Sequence, residues 1–240
     1  MLRDIPATVS EVFPIGAGSK CIRMQTAQQM PYAPGQFMMI RCEMKEDEEF
    51  KIRDGKKPVQ QRAFSVSSSP LNTAYLEFTA KPTENAFFSD YLARKVSVGH
   101  PFFVSGPFGH FFYQDEMQDI VLLGAGSGIA PLLGIMRYIR DKRLQAKAHL
   151  IYSNKTEQDI LWRQEIEGLS GGNISHLFTL TQQQWEGSKG RIDAEMMRKH
   201  VHDATVFFLC GPMPFVQEME RILAAEFQVP KERVKKEIYD

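Results

Sequence analysis

The chain has 240 residues, 43% of them apolar, and equal counts of Lys+Arg and Asp+Glu, 29 each. That is enough chain for two ordinary globular domains, and the composition is not that of a disordered protein. Zero net charge gives no electrostatic case for nucleic acid or an acidic membrane surface, and no apolar run is long enough to span a bilayer.

The first half reads as strands. Residues 8–13 alternate and stop at Pro14, Gly16 and Gly18; residues 20–26 alternate again. Further strands are expected over residues 35–42, 63–66, 74–80 and 99–105. One helix interrupts them near residues 88–92. Short strands with frequent Gly and Pro predict an antiparallel β-barrel. Residues 43–61, rich in charge, read as a solvated loop or hairpin extension.

Beyond Gly109 the pattern becomes strand, helix, strand. Strands are expected at residues 120–123, 148–152, 176–180 and 205–210. Helices are expected to about Arg143, over residues 160–169 and 194–199, and from Gly211-Pro212 to about Phe227. This alternation predicts a doubly wound parallel sheet. The fold class is therefore two-domain β plus α/β: residues 1–112 as the barrel and 113–240 as the α/β domain.

The densest motif is Ile120-Val-Leu-Leu followed by Gly124-Ala-Gly126-Ser127-Gly128-Ile-Ala-Pro131. A buried strand, a glycine turn and Pro131 in a helix's first turn build a phosphate site from free N–H groups and the helix dipole. The usual dinucleotide fingerprint has Gly at the sixth position, where Ile129 stands, so this stretch alone divides evenly between a binding loop and a plain turn. In the first half, Arg62-Ala63-Phe64-Ser65-Val-Ser-Ser68 offers a guanidinium fork, an aromatic face and hydroxyls, which suit a flavin nucleotide. By residue type alone, an ordinary strand with a Ser/Pro turn is the better account of it.

These stretches, with Pro34-Gly-Gln-Phe37 upstream, resemble the ferredoxin–NADP(+) reductase family. The resemblance implies an FAD-binding barrel followed by an NAD(P)-binding domain, without a fused ferredoxin domain. Arg62 would hold the flavin pyrophosphate, Phe64 would pack on the flavin where Tyr is commoner, and Ser65 would bond near the flavin N5. Ala63, Ser68 and Lys81 join the cofactor-binding set. Residues 86–92 resemble the family's second phosphate segment, with Ser89 as helix N-cap or phosphate ligand. Ala86 replaces the family's glycine and would crowd a pyrophosphate there. Gly106-Pro-Phe-Gly109 matches the exit from the barrel.

Gly124, Gly126, Ser127 and Gly128 match the family's own nucleotide loop. Cys210-Gly211-Pro212-Met213 matches a further motif, which would place Cys210 beside the nicotinamide. Residues 152–156 match the adenosine-ribose segment, and residues 185–192 a recurrent Trp-to-Arg-Ile segment. Lys155 and Arg191 are cations available to a 2′-phosphate. Glu237 and Tyr239 match the family's terminal Glu-x-aromatic, near the flavin and Cys210. The implied cofactors are FAD with NADPH or NADH, and the implied catalytic residues are Ser65, Cys210 and Glu237.

The reading is a flavoprotein oxidoreductase that passes a hydride from NAD(P)H to FAD and electrons to a redox acceptor protein, such as a ferredoxin or oxygenase component. A flavin reductase acting on free flavin, favoured by Ala86, is the alternative, followed by a nucleotide-binding subunit of a larger complex. No metal site is expected, because the cysteines (Cys21, Cys42, Cys210) and the six histidines lack ligand spacing. His200 and His202 fall on different sides of a helix. Odd, scattered cysteines and no signal-peptide core at the N-terminus make a cytoplasmic setting the economical expectation.

Overall fold

Alternation dictates the first sheet. In β1 (Ile5–Gly16), Ile5, Ala7 and Val9 are buried while their neighbours face outward. A tight turn at residues 16–18 returns the chain antiparallel as β2 (Ser19–Thr26). β3 (Phe37–Glu43) buries Met38, Ile40 and Cys42 by the same rule. β4 (Val59–Ser65) and β5 (Leu76–Ala80) follow, then α1 (Phe87–Lys95) and β6 (Pro101–Phe108). The order is β4-β3-β6-β1-β2-β5, all antiparallel. A single bridge between Val66 and Phe78 brings the two edges together, so the sheet is barrel-like. This computed structural model describes residues 4–45, 58–82, 87–201 and 206–239. The expectations for Ala86, His202 and most of the charged 43–61 segment lie outside the described residues.

The second sheet starts at β7 (Asp119–Ala125), whose central residues are all buried. α2 (Ile129–Asp141) follows, then β8 (Lys147–Asn154), α3 (Arg163–Leu169), β9 (Ile174–Leu180) and the two-residue β10 (Ser188–Lys189). α4 (Ala194–His200), β11 (Val206–Gly211), α5 (Met213–Glu226) and β12 (Val234–Ile238) complete it. Every pair is parallel, in the order β10-β9-β8-β7-β11-β12. Residues of α2 and α3 fill the core on one face and those of α4 and α5 the other. The strand order reverses between β7 and β11. A crevice opens at such a switch point, beyond the carboxyl ends of the strands.

Three elements depart from the sequence reading, the smallest being β10, which stands where no strand is expected. The helix expected over residues 160–169 begins only at Arg163, because Trp162 takes a left-handed backbone at φ 60° and buries its indole. The chain's final segment is not merely a terminus carrying two site residues. It is strand β12, which pairs Glu237 with Cys210.

Candidate functional site

One cleft of about 820 Å³ lies between the two sheets and takes its walls from both. That volume is within the usual range of small-molecule sites, about 300–1,000 Å³. The barrel contributes Arg62, Ala63, Phe64 and Ser65 from the end of β4, and Lys81 just past β5. Phe64 meets Phe88 edge-on at 6.1 Å, which fixes its ring. Ser89 also lines the cleft, but it is the third residue of α1 and not its N-cap. Arg62 is exposed at the rim and donates to the Gln61 carbonyl at 2.7 Å.

The opposite wall is the glycine loop. Gly126 has φ +55° and lines the cleft with Ala125 and Ser127. The buried Tyr152 hydroxyl donates to the Gly126 carbonyl at 2.6 Å and holds the loop from behind. Gly128 serves a different purpose: a Cβ there would stand 2.2 Å from the Cys210 carbonyl oxygen. It lets the loop lie directly on β11. Gly124 packs against Leu132 and Tyr152 within the sheet. Lys81 reaches from the barrel towards Gly126, its ammonium 3.7 Å from where a Cβ would stand. Burial and Lys155 lower its pKa, with Asp159 opposing them.

The floor comes from β11 and β12. Ser65 Oγ donates to Glu237 Oε1 at 2.9 Å, joining the two domains at the cleft. Burial pushes the Glu237 carboxyl up to about 7, against the opposing pull of that hydrogen bond. Burial, reinforced by the adjoining Glu237, likewise raises the Cys210 thiol, so it is no thiolate nucleophile. Cys210 is wholly buried behind the wall, whereas Pro212 and Met213 line the cleft. Gly211 accepts from the Tyr239 backbone N–H at 2.9 Å and so extends the ladder past β12. Tyr239 lines the cleft as well.

Ser68 is not with the others. Its hydroxyl pairs with Tyr32 Oη at 2.9 Å and accepts from the Glu77 amide at 3.2 Å, in the buried joint between barrel and α2. The strand ends at Ser65 and the chain bends at Ser68, which carries it out of the cleft. Thr79, which the motifs did not single out, and Ala130, a position of the loop motif given no role of its own, do line the cleft. Their signal was position: Thr79 lies on the strand leading to Lys81, and Ala130 stands one residue into the helix after the glycine loop. Lys155 and Arg191 are exposed. Trp185 donates to Ser188 at 2.6 Å and braces its own turn. Among the described residues no group of three or more His, Cys, Asp or Glu is placed to hold a metal.

An oxidoreductase FAD-binding domain model matches residues 7–113, and an oxidoreductase NAD-binding domain model matches residues 122–221. The chain belongs to the ferredoxin reductase-like FAD- and NAD(P)-binding oxidoreductases. Two curated relatives of this reductase-like chain illustrate the range. It is 30% identical over 178 residues to NADH-cytochrome b5 reductase 1 of Candida albicans, covering 70% of this chain and 60% of that one. It is 26% identical to the ferredoxin reductase component of 3-ketosteroid-9-alpha-monooxygenase of Rhodococcus rhodochrous, covering 99% and 66%. The chain thus spans less than two thirds of the length of either relative. Its fold is similar to the flavohem-like FAD/NAD-binding domain of nitric oxide dioxygenase from Vibrio cholerae. That match has a TM-score of 0.85 at 21% identity and covers 99% of both chains.

The residues present fit a flavin and a nicotinamide nucleotide. Arg62 at the rim suits a pyrophosphate, and Phe64 with Ala63 on the barrel wall offers an aromatic, apolar surface across from Ala125. Two buried polar atoms, Glu237 Oε2 and Tyr239 Oη, make no hydrogen bond of ordinary geometry. Buried polar groups are rarely left so, and here both belong to residues that line the cleft.

Proposed function

We propose that this chain is an NAD(P)H-dependent flavoprotein oxidoreductase that delivers electrons from its FAD to a redox acceptor protein. The single observation that carries the reading is the Ser65–Glu237 hydrogen bond on the floor of a cleft walled by both domains. When bound, the two cofactors supply the redox chemistry, a hydride passing from the nicotinamide to the flavin ring.

The chain's own residues bind, orient and manage one proton. Arg62 grips the flavin phosphates, and Phe64 with Ala63 holds the ring flat. Gly126 and Ser127 present backbone N–H groups at the start of α2 to the nucleotide phosphates. Lys81 reaches over the same loop from the barrel and adds a cation to it. Burial raises the Glu237 carboxyl to about 7, which suits it to hold a proton at the cleft floor while its Oε1 accepts from Ser65 Oγ at 2.9 Å. Cys210 and Gly128 keep β11 and the glycine loop in contact behind the cleft.

The test is the visible spectrum of freshly purified protein before and after anaerobic NADH and, separately, NADPH. Flavin bands that bleach support the reading, and the faster nucleotide defines specificity. A colourless protein that oxidises NAD(P)H only with added free flavin replaces it with a reductase of free flavin. A protein that shows no colour and no NAD(P)H oxidation defeats it.

A further inference from the structure

The barrel and α2 are joined by a buried network of charges. Arg137 of α2 donates to both Glu165 carboxylate oxygens at 2.6 Å, to the Ser67 carbonyl at 2.6 Å, and to the Glu77 carboxylate. Glu77 also accepts from Ser67 Oγ at 2.9 Å and from Arg23 at 3.0 Å. The Arg137 guanidinium lies 4.8 Å above the Trp162 ring, and Trp162 donates to Thr79 at 3.0 Å. Burial would push the Glu77 carboxyl up. Arg137, with Arg23 and Ser67, outweighs it and holds the group below the usual range, so the network is ionised at neutral pH.

A buried ion network of this kind contributes little net stability relative to a well-packed apolar joint; its use is to fix one registry. The registry here concerns the cleft. Ala130, Gly134 and Arg137 are four and three residues apart, so they share one face of α2. Ala130 lines the cleft. Gly134 sits so close to the barrel that a Cβ would stand 2.8 Å from the Val66 carbonyl oxygen. Arg137 grips Ser67 beside it. Val66 directly follows Ser65 and Phe64, while the N-terminus of α2 carries the glycine loop.

We propose that Gly134 and Arg137 are positioning residues that seat α2 on residues 66–67 and so set the distance between the nucleotide loop and the Phe64–Ser65 wall. The geometric part stands on the structure alone; the kinetic part rests on the function proposed above. Reaction rates are steep in such a distance, a misplacement of about 1 Å costing about a hundredfold.

Two variants test this. Gly134→Ala puts the better helix former into α2, so helix propensity does not weaken it, yet its Cβ must lift the helix. Arg137→Met keeps bulk and removes the grip, and Arg137→Lys serves as its conservative counterpart. Spin labels on Val98→Cys and Ala225→Cys, both exposed, report the separation of the domains without any cofactor. The native cysteines are buried and escape labelling.

The expected result is a shifted mean distance in Gly134→Ala and a broadened distribution in Arg137→Met, partly narrowed in Arg137→Lys. In the loaded protein, flavin content and NAD+ affinity stay within about twofold of wild type, while reduction at saturating nucleotide falls about tenfold or more. Wild-type distances and widths in Gly134→Ala and in either Arg137 variant that folds overturn the proposal. Altered distances with wild-type reduction rates also overturn it. A wild-type protein that no nucleotide reduces defeats the proposed function instead, and the label distances still decide the seating of α2.

Discussion

Ser65 and Glu237, separated by 172 positions in sequence, share a hydrogen bond of 2.9 Å at the junction of barrel and parallel sheet. The bond joins the end of β4 to the last strand of the second sheet, and it is made to a carboxyl that burial has shifted to about 7.

That shift sets a pH dependence of stability. In the unfolded chain the Glu237 proton leaves near the ordinary value of 4.5, and in the folded chain near 7. The folded state therefore holds the proton more tightly. Its contribution is full below about pH 4.5 and is lost as pH rises to about 7. Glu237→Gln lacks the titration, so it should gain on wild type by about 3 kcal/mol across that window. Urea unfolding of both proteins at pH 4.5, 5.5, 6.5 and 7.5 checks this, and a gap that does not change with pH contradicts it.

Arg62 is at the cleft rim, where its loss disturbs little packing. Arg62→Ala should weaken FAD binding about ten- to a hundredfold, the worth of one charge-assisted contact of about 1.5–3 kcal/mol. Its circular dichroism should match wild type. FAD titration of the stripped protein measures the first, and undiminished affinity removes Arg62 from the phosphate site.

Gly128 has an ordinary helical backbone, φ −61°, so any side chain there is a matter of space alone. Gly128→Ala drives a methyl into the Cys210 carbonyl. Overpacking of this sort costs about 1–3 kcal/mol. The variant should melt lower and bind NAD(P)+ more weakly while retaining FAD. Calorimetry with each cofactor separates those effects.

Tyr152→Phe removes the donor that holds Gly126 and leaves that carbonyl without this partner. A loss of about 1–2 kcal/mol in stability is expected. Faster amide exchange confined to residues 125–128 is the specific sign that the hydroxyl steadies the loop, and a uniform change across the chain speaks against it.

The α/β half was legible because its signals are local. Four apolar residues at 120–123, alternate glycines and Pro131 specify strand, turn and helix within twelve positions. β12 was not, because Lys235, Lys236 and Glu237 give an edge strand no apolar signature; pairing with β11 makes it a strand. Four serines within residues 65–69 are alike in type, and only the path of the chain separates Ser65 in the cleft from Ser68 in the joint. Glu77 and Arg137 sat in patterns that read as strand and helix, with no sign of burial. Each is buried because the other, sixty positions away, is there to meet it.

The place of β12 also has a consequence for synthesis. β7 is central in its sheet, yet its neighbour β11 is translated long after it, and β12 follows later still. A ribosome that has just finished α5 has already released Arg62, the glycine loop and the Arg137 network, but no carboxylate for Ser65. Fragments that stop short of Val234 would carry the flavin and nucleotide walls around a floor lacking its proton-holding group. The order of translation thus leaves the proton-holding carboxylate among the last parts of the cleft to be made.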